Sequence, residues 1–210
     1  MKEPSQDYQT ALKATQTFHT KQKGFNGRFL LRYLDDVLTL ITRDEVSTML
    51  DYGCGRGEQY SEVLGNGHRL DQELKARGVQ KLAKYDPGYP PFAADPVGKF
   101  ELVICTQVLG SIPITDLPWV LDRMANYSVG AVYIAEVLCE APRKQLHAHL
   151  RGKMPHGWGL TQWQDVVREA SERNPETIWY LRTKDKTVPK GARLITSFKA
   201  GTILNTAETL

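Results

Sequence analysis

Short apolar runs of strand length alternate with helical patterns through the middle of the chain, and this alternation constrains the fold most. The apolar runs are VSTMLDYG, KLAKYD, KFELVICTQVL and GAVYIAEVL, and the helical patterns between them are EQYSEVLGNG, DQELKARG and TDLPWVLDRMANYS. Strands that are separated by helices run parallel, and a parallel sheet is covered by helices on both faces. We therefore predict an α/β fold of the doubly wound, Rossmann-like type.

The two ends of the chain differ from this middle part. The first 45 residues predict two helices, of which GRFLLRYLDDVLTLITRD has apolar residues at clear helical spacing. Near the other end, ETIWYLRT and ARLITSFKA are joined by the turn-rich KDKTVPKG without a helix, which predicts an antiparallel hairpin at the sheet edge. We expect one domain over 1–210, with an N-terminal helical segment at 1–45 and a Rossmann-like core at 46–210.

Charge, hydropathy and cysteine content indicate which partners and which cellular location to expect. The net charge of +3 over 210 residues is too weak to require a nucleic-acid partner. No apolar stretch approaches the ~20 residues of a membrane helix, and MKEPSQDYQT does not resemble a signal peptide, so we expect a cytoplasmic protein without a membrane partner. Three cysteines without a CxxC pair indicate reduced thiols.

Glycines alternate in the segment MLDYGCGRGEQY, directly after the first predicted strand. In a parallel sheet, ligands bind at the carboxyl ends of the strands, where the chain reverses its order. Gly53, Gly55 and Gly57 would let a ligand approach the backbone there, and the free amides of a following helix would face it. Asp51 adds a negative charge that repels a phosphate and attracts a cationic amino acid group.

A second carboxylate ends the next strand. Asp86 closes KLAKYD, and its two oxygens could accept hydrogen bonds from both hydroxyls of a ribose. The glycine spacing here is GxGxG, whereas the dinucleotide fingerprint of oxidoreductases is GxGxxG, so the spacing disfavours NAD.

The chain resembles the class I S-adenosylmethionine-dependent methyltransferases over about residues 46–200 in LDYGCGRG, YDPG and FELVICTQVLGSIP. The resemblance implies a mainly parallel seven-stranded sheet with a C-terminal antiparallel hairpin. It also implies S-adenosylmethionine as the cofactor, held by the residues that match the family's motifs: Asp51, Gly53, Gly55, Gly57 and Asp86, with Cys105, Thr106 and Gln107 near the adenine. More narrowly, the chain looks like small stand-alone methyltransferases of bacteria and their phages.

The sequence also departs from that narrower group. Its members commonly carry an acid where this chain has Gln107, and a Glu-His pair in place of Gly110 and Ser111. The connection from Asp86 to Phe100 is short and rich in proline, so we expect the family's third strand and its helix to be reduced or missing.

The catalytic residues are not identified by any motif, and four candidates stand out. His147, His149 and His156 lie in a segment that leaves the carboxyl end of a strand, where a substrate lid with a histidine base could form, and Tyr60 could face the crevice. HxH without a nearby acid or cysteine predicts no metal site.

The N-terminal aromatic residues have two readings. In folds of this class an N-terminal segment can fold over the cofactor, but we expect Phe18 and Phe25 simply to pack against the sheet.

Together these features predict an S-adenosylmethionine-dependent methyltransferase that acts on an oxygen or nitrogen of a small molecule, a sugar or a nucleotide. One alternative is a methyltransferase-like module that binds without transferring. Another is a nucleic-acid methyltransferase, which the charge does not support.

Overall fold

The computed structural model describes residues 3–22, 24–137, 148–150, 152–155, 157–184 and 194–207. The helices are α1 (Gln6–Gln22), α2 (Leu34–Arg43), α3 (Leu70–Ala76), α4 (Leu117–Tyr127) and α5 (Leu160–Arg173). The strands are β1 (Thr48–Tyr52), β2 (Lys81–Tyr85), β3 (Phe100–Thr106), β4 (Ser128–Val137), β5 (Ile178–Lys184), β6 (Leu194–Lys199) and β7 (Thr202–Ala207).

The strands form one sheet of seven, in the order β2-β1-β3-β4-β5-β6-β7. The first five are parallel to their neighbours, while β6 is antiparallel to β5 and β7 is antiparallel to β6. This confirms the predicted fold class, the mainly parallel seven-stranded sheet and the antiparallel C-terminal strands. The β5–β6 hairpin is not at the edge, however, because β7 pairs with the outer side of β6.

Two apolar clusters show that the sheet is covered on both faces. One contains the large rings of Phe100, Trp163 and Trp179 together with side chains of α1, α4 and α5. The other packs α2 and α3 against the opposite face through residues such as Leu40 and Leu74. Burial of each such side chain contributes about 1.5–3 kcal/mol, so the two layers fix the strand ends that carry the site.

The segment between β2 and β3 is short and contains no strand and no α-helix. The connection after β2 contains only a 3₁₀ turn, Pro90–Phe92, so β2 forms the sheet edge and the expected loss of a third family strand is confirmed.

The helix predicted after the glycine loop is wrong. Glu58–Ser61 forms a single 3₁₀ turn, and the chain then reverses through a turn in which the Leu64 N–H donates to the His68 carbonyl. Gly67 has φ +82°, a conformation that ends a helix and that glycine adopts without strain. The next helix, α3, therefore begins only at Leu70.

Across the described ranges, no helix is both long and apolar enough to cross a membrane.

Candidate functional site

A pocket opens at the carboxyl ends of β1, β2 and β3. The chain places β2 on one side of β1 and β3 on the other, so this is the point where the strand order reverses. The cavity has a volume of about 860 Å³ including its mouth, within the range of ligand sites. Its walls come from the glycine loop, the turn after β2, the turn after β3 and the N-terminal helix α1.

The glycine loop forms the floor of the pocket and has an unusual backbone. Gly53 and Gly55 have φ angles of +86° and +60°, which side-chain-bearing residues rarely adopt. A Cβ on Gly55 would overlap the carbonyl oxygen of Phe25, and one on Gly53 would overlap the side chain of Val108. Gly53 and Gly55 line the pocket, so the loop offers a bare backbone surface to a ligand, whereas Gly57, which was expected at the cofactor as well, is not part of the pocket wall.

Asp51 is the last residue but one of β1, next to this loop, and is only 1% exposed. Its Oδ2 accepts hydrogen bonds from Gln59 Nε2 at 3.0 Å and from the Tyr60 hydroxyl at 2.7 Å. Its Oδ1 has no hydrogen-bond partner among the described residues, although Asp51 lines the pocket. Burial raises the pKa of Asp51 to about 7, against the opposing effect of the Tyr60 and Gln59 hydrogen bonds. The carboxyl group therefore changes charge near neutral pH.

Tyr60 was expected to face the crevice, and the structure places it elsewhere. It is 3% exposed, packs in the apolar cluster with α2 and α3, and is not part of the pocket wall. Its hydroxyl is committed to Asp51, and burial raises its pKa well above the usual value. It therefore contacts the site only through Asp51.

Asp86 lies opposite Asp51, at the end of β2, and is 8% exposed. Its Oδ2 accepts from the Gly55 N–H at 2.9 Å and its Oδ1 from the Gly88 N–H at 2.8 Å. Each carboxylate oxygen has a second lone pair that can accept from a ligand. Burial raises the pKa of Asp86, while nearby His19 and the two amides act in the opposite direction.

The end of β3 supplies the third wall. Thr106, Gln107 and Val108 line the pocket, whereas Cys105 is fully buried in the core and does not reach it. The alternation of side chains along a strand explains why Cys105 turns away while its neighbour Thr106 faces the pocket. Gln107 has φ +56° and donates from Nε2 to the Tyr33 hydroxyl at 2.9 Å.

The fourth wall is the N-terminal part of the chain, which we call the N-terminal cover: α1 together with residues 24–29. Four residues of α1 line the pocket: Tyr8, Ala11, Leu12 and Thr15. Phe25, Gly27 and Phe29 line it as well. The Phe25 carbonyl accepts from the Arg56 N–H at 2.9 Å, so the cover crosses the glycine loop directly. The expectation that Phe25 only packs against the sheet is wrong, while Phe18 packs on Phe25 at a ring separation of 4.9 Å.

The cover is anchored at its start. Ser5 bonds to Asp116 through its N–H at 2.8 Å and its hydroxyl at 2.6 Å, and the Tyr8 ring lies edge-on to Trp119 at 5.2 Å. No local pattern in the sequence predicts these contacts, because they join segments more than 100 residues apart.

One of the three histidine candidates for a base lies within the described residues. His147 and His156 lie outside the described residues. His149 is exposed on a short 3₁₀ turn, Ala148–Leu150, and is not part of the pocket wall. In the portions that the structure describes, no group of three or more His, Cys, Asp or Glu side chains is arranged to hold a metal ion.

Several buried polar atoms without hydrogen bonds, though not all of those in the described residues, lie at this pocket or next to it. Besides Asp51 Oδ1, they include the Tyr52 hydroxyl, Gln59 Oε1 and both ring nitrogens of His19. Gln59 is oriented by its neighbours, because Nε2 donates to Asp51 and, at 3.4 Å, to the Cys54 carbonyl, which leaves Oε1 as an unused acceptor. Buried polar atoms are rarely left unpaired in proteins, so this concentration points to a ligand site.

Comparison with known proteins agrees with this arrangement. A family model described as a methyltransferase domain matches residues 21–182, from the end of α1 into β5. No protein of curated function matches the chain. The match spans well over half of the 210 residues and includes the glycine loop and both carboxylates. The chain therefore belongs to the methyltransferase domain family, and its mainly parallel seven-stranded sheet is of the class I type.

Proposed function

We propose that this protein transfers a methyl group from S-adenosylmethionine to an oxygen or nitrogen of a small molecule, a sugar or a nucleotide. The observation that carries the proposal is the pair of buried carboxylates beside the glycine loop, Asp51 on β1 and Asp86 directly after β2. Asp51 presents an unpaired oxygen, and Asp86 keeps acceptor sites on both of its oxygens. S-adenosylmethionine has an ammonium group and a ribose diol, which are donors of the kind that these acceptors require.

The residues present fit this cofactor. Asp51 would hold the ammonium group, Asp86 the ribose hydroxyls, and the Thr106–Val108 segment would lie near the adenine. Gly53 and Gly55 would leave room for the ligand against the backbone. The wall has no Lys, Arg, His or Glu among its described residues, which suits a ligand whose donor end is cationic.

The cofactor, when bound, supplies a methyl group on a positively charged sulfur that is already a good leaving group. The protein has to orient the acceptor in line with that bond and exclude water. Such positioning contributes up to ~7–11 kcal/mol, so a general base is not required for activity. The N-terminal cover serves water exclusion because α1 and Phe25 lie across the pocket.

The cover also favours a small acceptor over a nucleic acid. Its helix forms one wall of the pocket and so limits the space for the acceptor, and the net charge of +3 offers weak attraction to phosphates.

The second candidate is a module that binds the nucleoside without transferring a methyl group. It is favoured by the absence of a His, Lys or Glu side chain from the described pocket wall, together with Gly110 and Ser111 in place of the Glu-His pair of the relatives that the sequence resembles.

Calorimetric titration with S-adenosylmethionine, S-adenosylhomocysteine and NAD tests the proposal. We expect micromolar binding of the first two and none of NAD. Asp51→Asn and Asp86→Asn should each weaken binding by about tenfold or more, because each removes a charge-assisted hydrogen bond. Asp71→Asn is the matched control, since Asp71 lies on the exposed side of α3, where it pairs with Arg69.

Unchanged affinity in both Asp51→Asn and Asp86→Asn would contradict the assignment of the site. Incorporation of labelled methyl into a panel of small acceptors then separates the enzyme from the binding module. Binding without incorporation into any acceptor class would favour the second candidate.

A further inference from the structure

His19 connects the N-terminal cover to the carboxylate assigned to the ribose. It lies on α1, its side chain is completely buried, and its Nε2 is 3.9 Å from Asp86 Oδ2. Neither ring nitrogen makes a hydrogen bond of good geometry within the described structure, although a backbone group of Gly24 lies close enough to oppose the effect of burial on the pKa of His19. The rings of Phe25 and Tyr89 pack against the imidazole at centroid separations of 5.5 and 5.3 Å. A buried imidazole without a well-formed hydrogen bond is costly, so the position of His19 next to Asp86 calls for a reason other than packing.

The charges around His19 indicate that reason. Asp86 faces it from the end of β2 and Arg56 from the glycine loop, while Asp51 on β1 and the Tyr8 hydroxyl on α1 are within electrostatic range of Asp86. Burial lowers the pKa of His19 and raises that of Asp86, and each of the two groups opposes the shift of the other. A protonated His19 therefore stabilises the ionised form of Asp86, which is its nearest carboxylate in the described structure.

The ionisation of Asp86 decides what it can bind. As a carboxylate, it has two acceptor sites left after the Gly55 and Gly88 amides have bonded. When it is protonated, one of those sites carries a hydrogen and no longer accepts. A ribose diol needs both sites, so a bound ribose requires the ionised form.

We propose that His19 is a positioning residue for the cofactor ribose: it provides the positive charge that keeps Asp86 ionised beneath the closed N-terminal cover. The inference rests on the proposed function, because it takes S-adenosylmethionine as the ligand. Since His19 belongs to α1, this charge is present only when the cover is packed on the pocket. Ribose binding and closure of the cover are therefore coupled through one pair of side chains.

The test compares wild type with His19→Phe, which retains the aromatic packing and removes the charge, by titrating S-adenosylhomocysteine across pH. We expect about tenfold weaker binding of the variant near about pH 5.5, below the ordinary histidine pKa that burial lowers at His19, because Asp86 without the neighbouring charge keeps its proton more readily. The difference should shrink as the pH rises, because Asp86 then loses its proton with or without His19 and the imidazole becomes neutral. His68→Gln is the matched control, because His68 also lies near an acid, Glu73 at 3.5 Å, but is exposed and remote from the pocket.

A double-mutant cycle keeps the test independent of packing. In an Asp86→Asn background, His19→Phe should cause no further loss of affinity, because no carboxylate is left to stabilise. Equal binding by wild type and His19→Phe at every pH overturns the inference and leaves the proposed function standing. A loss that is the same at every pH, or that persists in the Asp86→Asn background, overturns the charge role. If wild type binds neither S-adenosylmethionine nor S-adenosylhomocysteine, the proposed function fails and the inference fails with it.

Discussion

Replacing Asp51 by asparagine should stabilise the ligand-free protein and at the same time weaken its binding of the cofactor. The amide is nearly isosteric with the carboxyl group, and its oxygen can accept the same hydrogen bonds from Gln59 and Tyr60. What the substitution removes is the ionisation of a group that is 1% exposed and has one oxygen unpaired. Stability and binding should therefore change in opposite directions.

The magnitude follows from the pKa. Burial raises the pKa of Asp51 from 3.8 to about 7, so the folded protein holds a proton that the unfolded chain has already released. Between these two pKa values the free energy of unfolding falls as the pH rises. Above the higher one, ionisation of Asp51 has lowered the stability of the folded protein by about 4 kcal/mol in total. At about pH 5 most of this cost has not yet developed. The gain from Asp51→Asn should thus be about 2–3 kcal/mol larger near pH 8 than near pH 5.

Urea unfolding of both proteins at the two pH values measures this difference. For a chain of this size, about 2–3 kcal/mol corresponds to about 5–10 °C in Tm, so thermal melts provide a second reading. Asp71→Asn, on the exposed side of α3, should change stability little at either pH. If Asp51→Asn is no more stable than wild type near pH 8, or gains equally at both pH values, the assigned environment of Asp51 is wrong.

Two further substitutions test the surroundings of the carboxylates. Gly55→Ala should lower stability by several kcal/mol and abolish cofactor binding, because its Cβ would overlap the Phe25 carbonyl and its φ is +60°. Calorimetry and thermal melts measure the two effects. Gly65→Ala is the control, since no atom lies within 4 Å of its new Cβ. Tyr60→Phe removes one hydrogen bond to Asp51, which should cost about 1–3 kcal/mol and raise the pKa of Asp51 further, so that the pH dependence of S-adenosylhomocysteine affinity moves to higher pH; an unmoved profile would contradict this role of Tyr60.

The sequence predicted the parts of the fold that depend on local pattern. Strands β1 to β4, with α4 between β3 and β4, follow from apolar runs that alternate with helical spacing. The glycine loop could also be placed, because alternate glycines after a strand have few other uses. The helix predicted after that loop failed because its apolar spacing extends over too few residues before Gly65 and Gly67 turn the chain.

The parts of the site that the sequence did not predict depend on contacts between segments that are distant in the chain. Nothing local shows that the Phe25 carbonyl crosses Gly55, or that His19 reaches Asp86, which lies 67 positions later in the chain. Strand β7 was missed for a related reason: its exposed Ile203 and Leu204 give no clear alternation, and its pairing with β6 defines it. Tertiary contacts override local preference at such positions.

The unfavourable features of this structure occur together, and their location is informative. Two buried carboxylates with raised pKa values, a strained backbone at Gln107 and several unpaired polar atoms all surround one pocket. A sequence selected for stability alone would have replaced them, because each costs free energy in the ligand-free protein. This pattern argues against a glycine loop that serves only to hold the fold together. A ligand with an ammonium group and a diol would offset the largest of these costs, so binding should raise Tm most at the pH where both carboxylates are ionised.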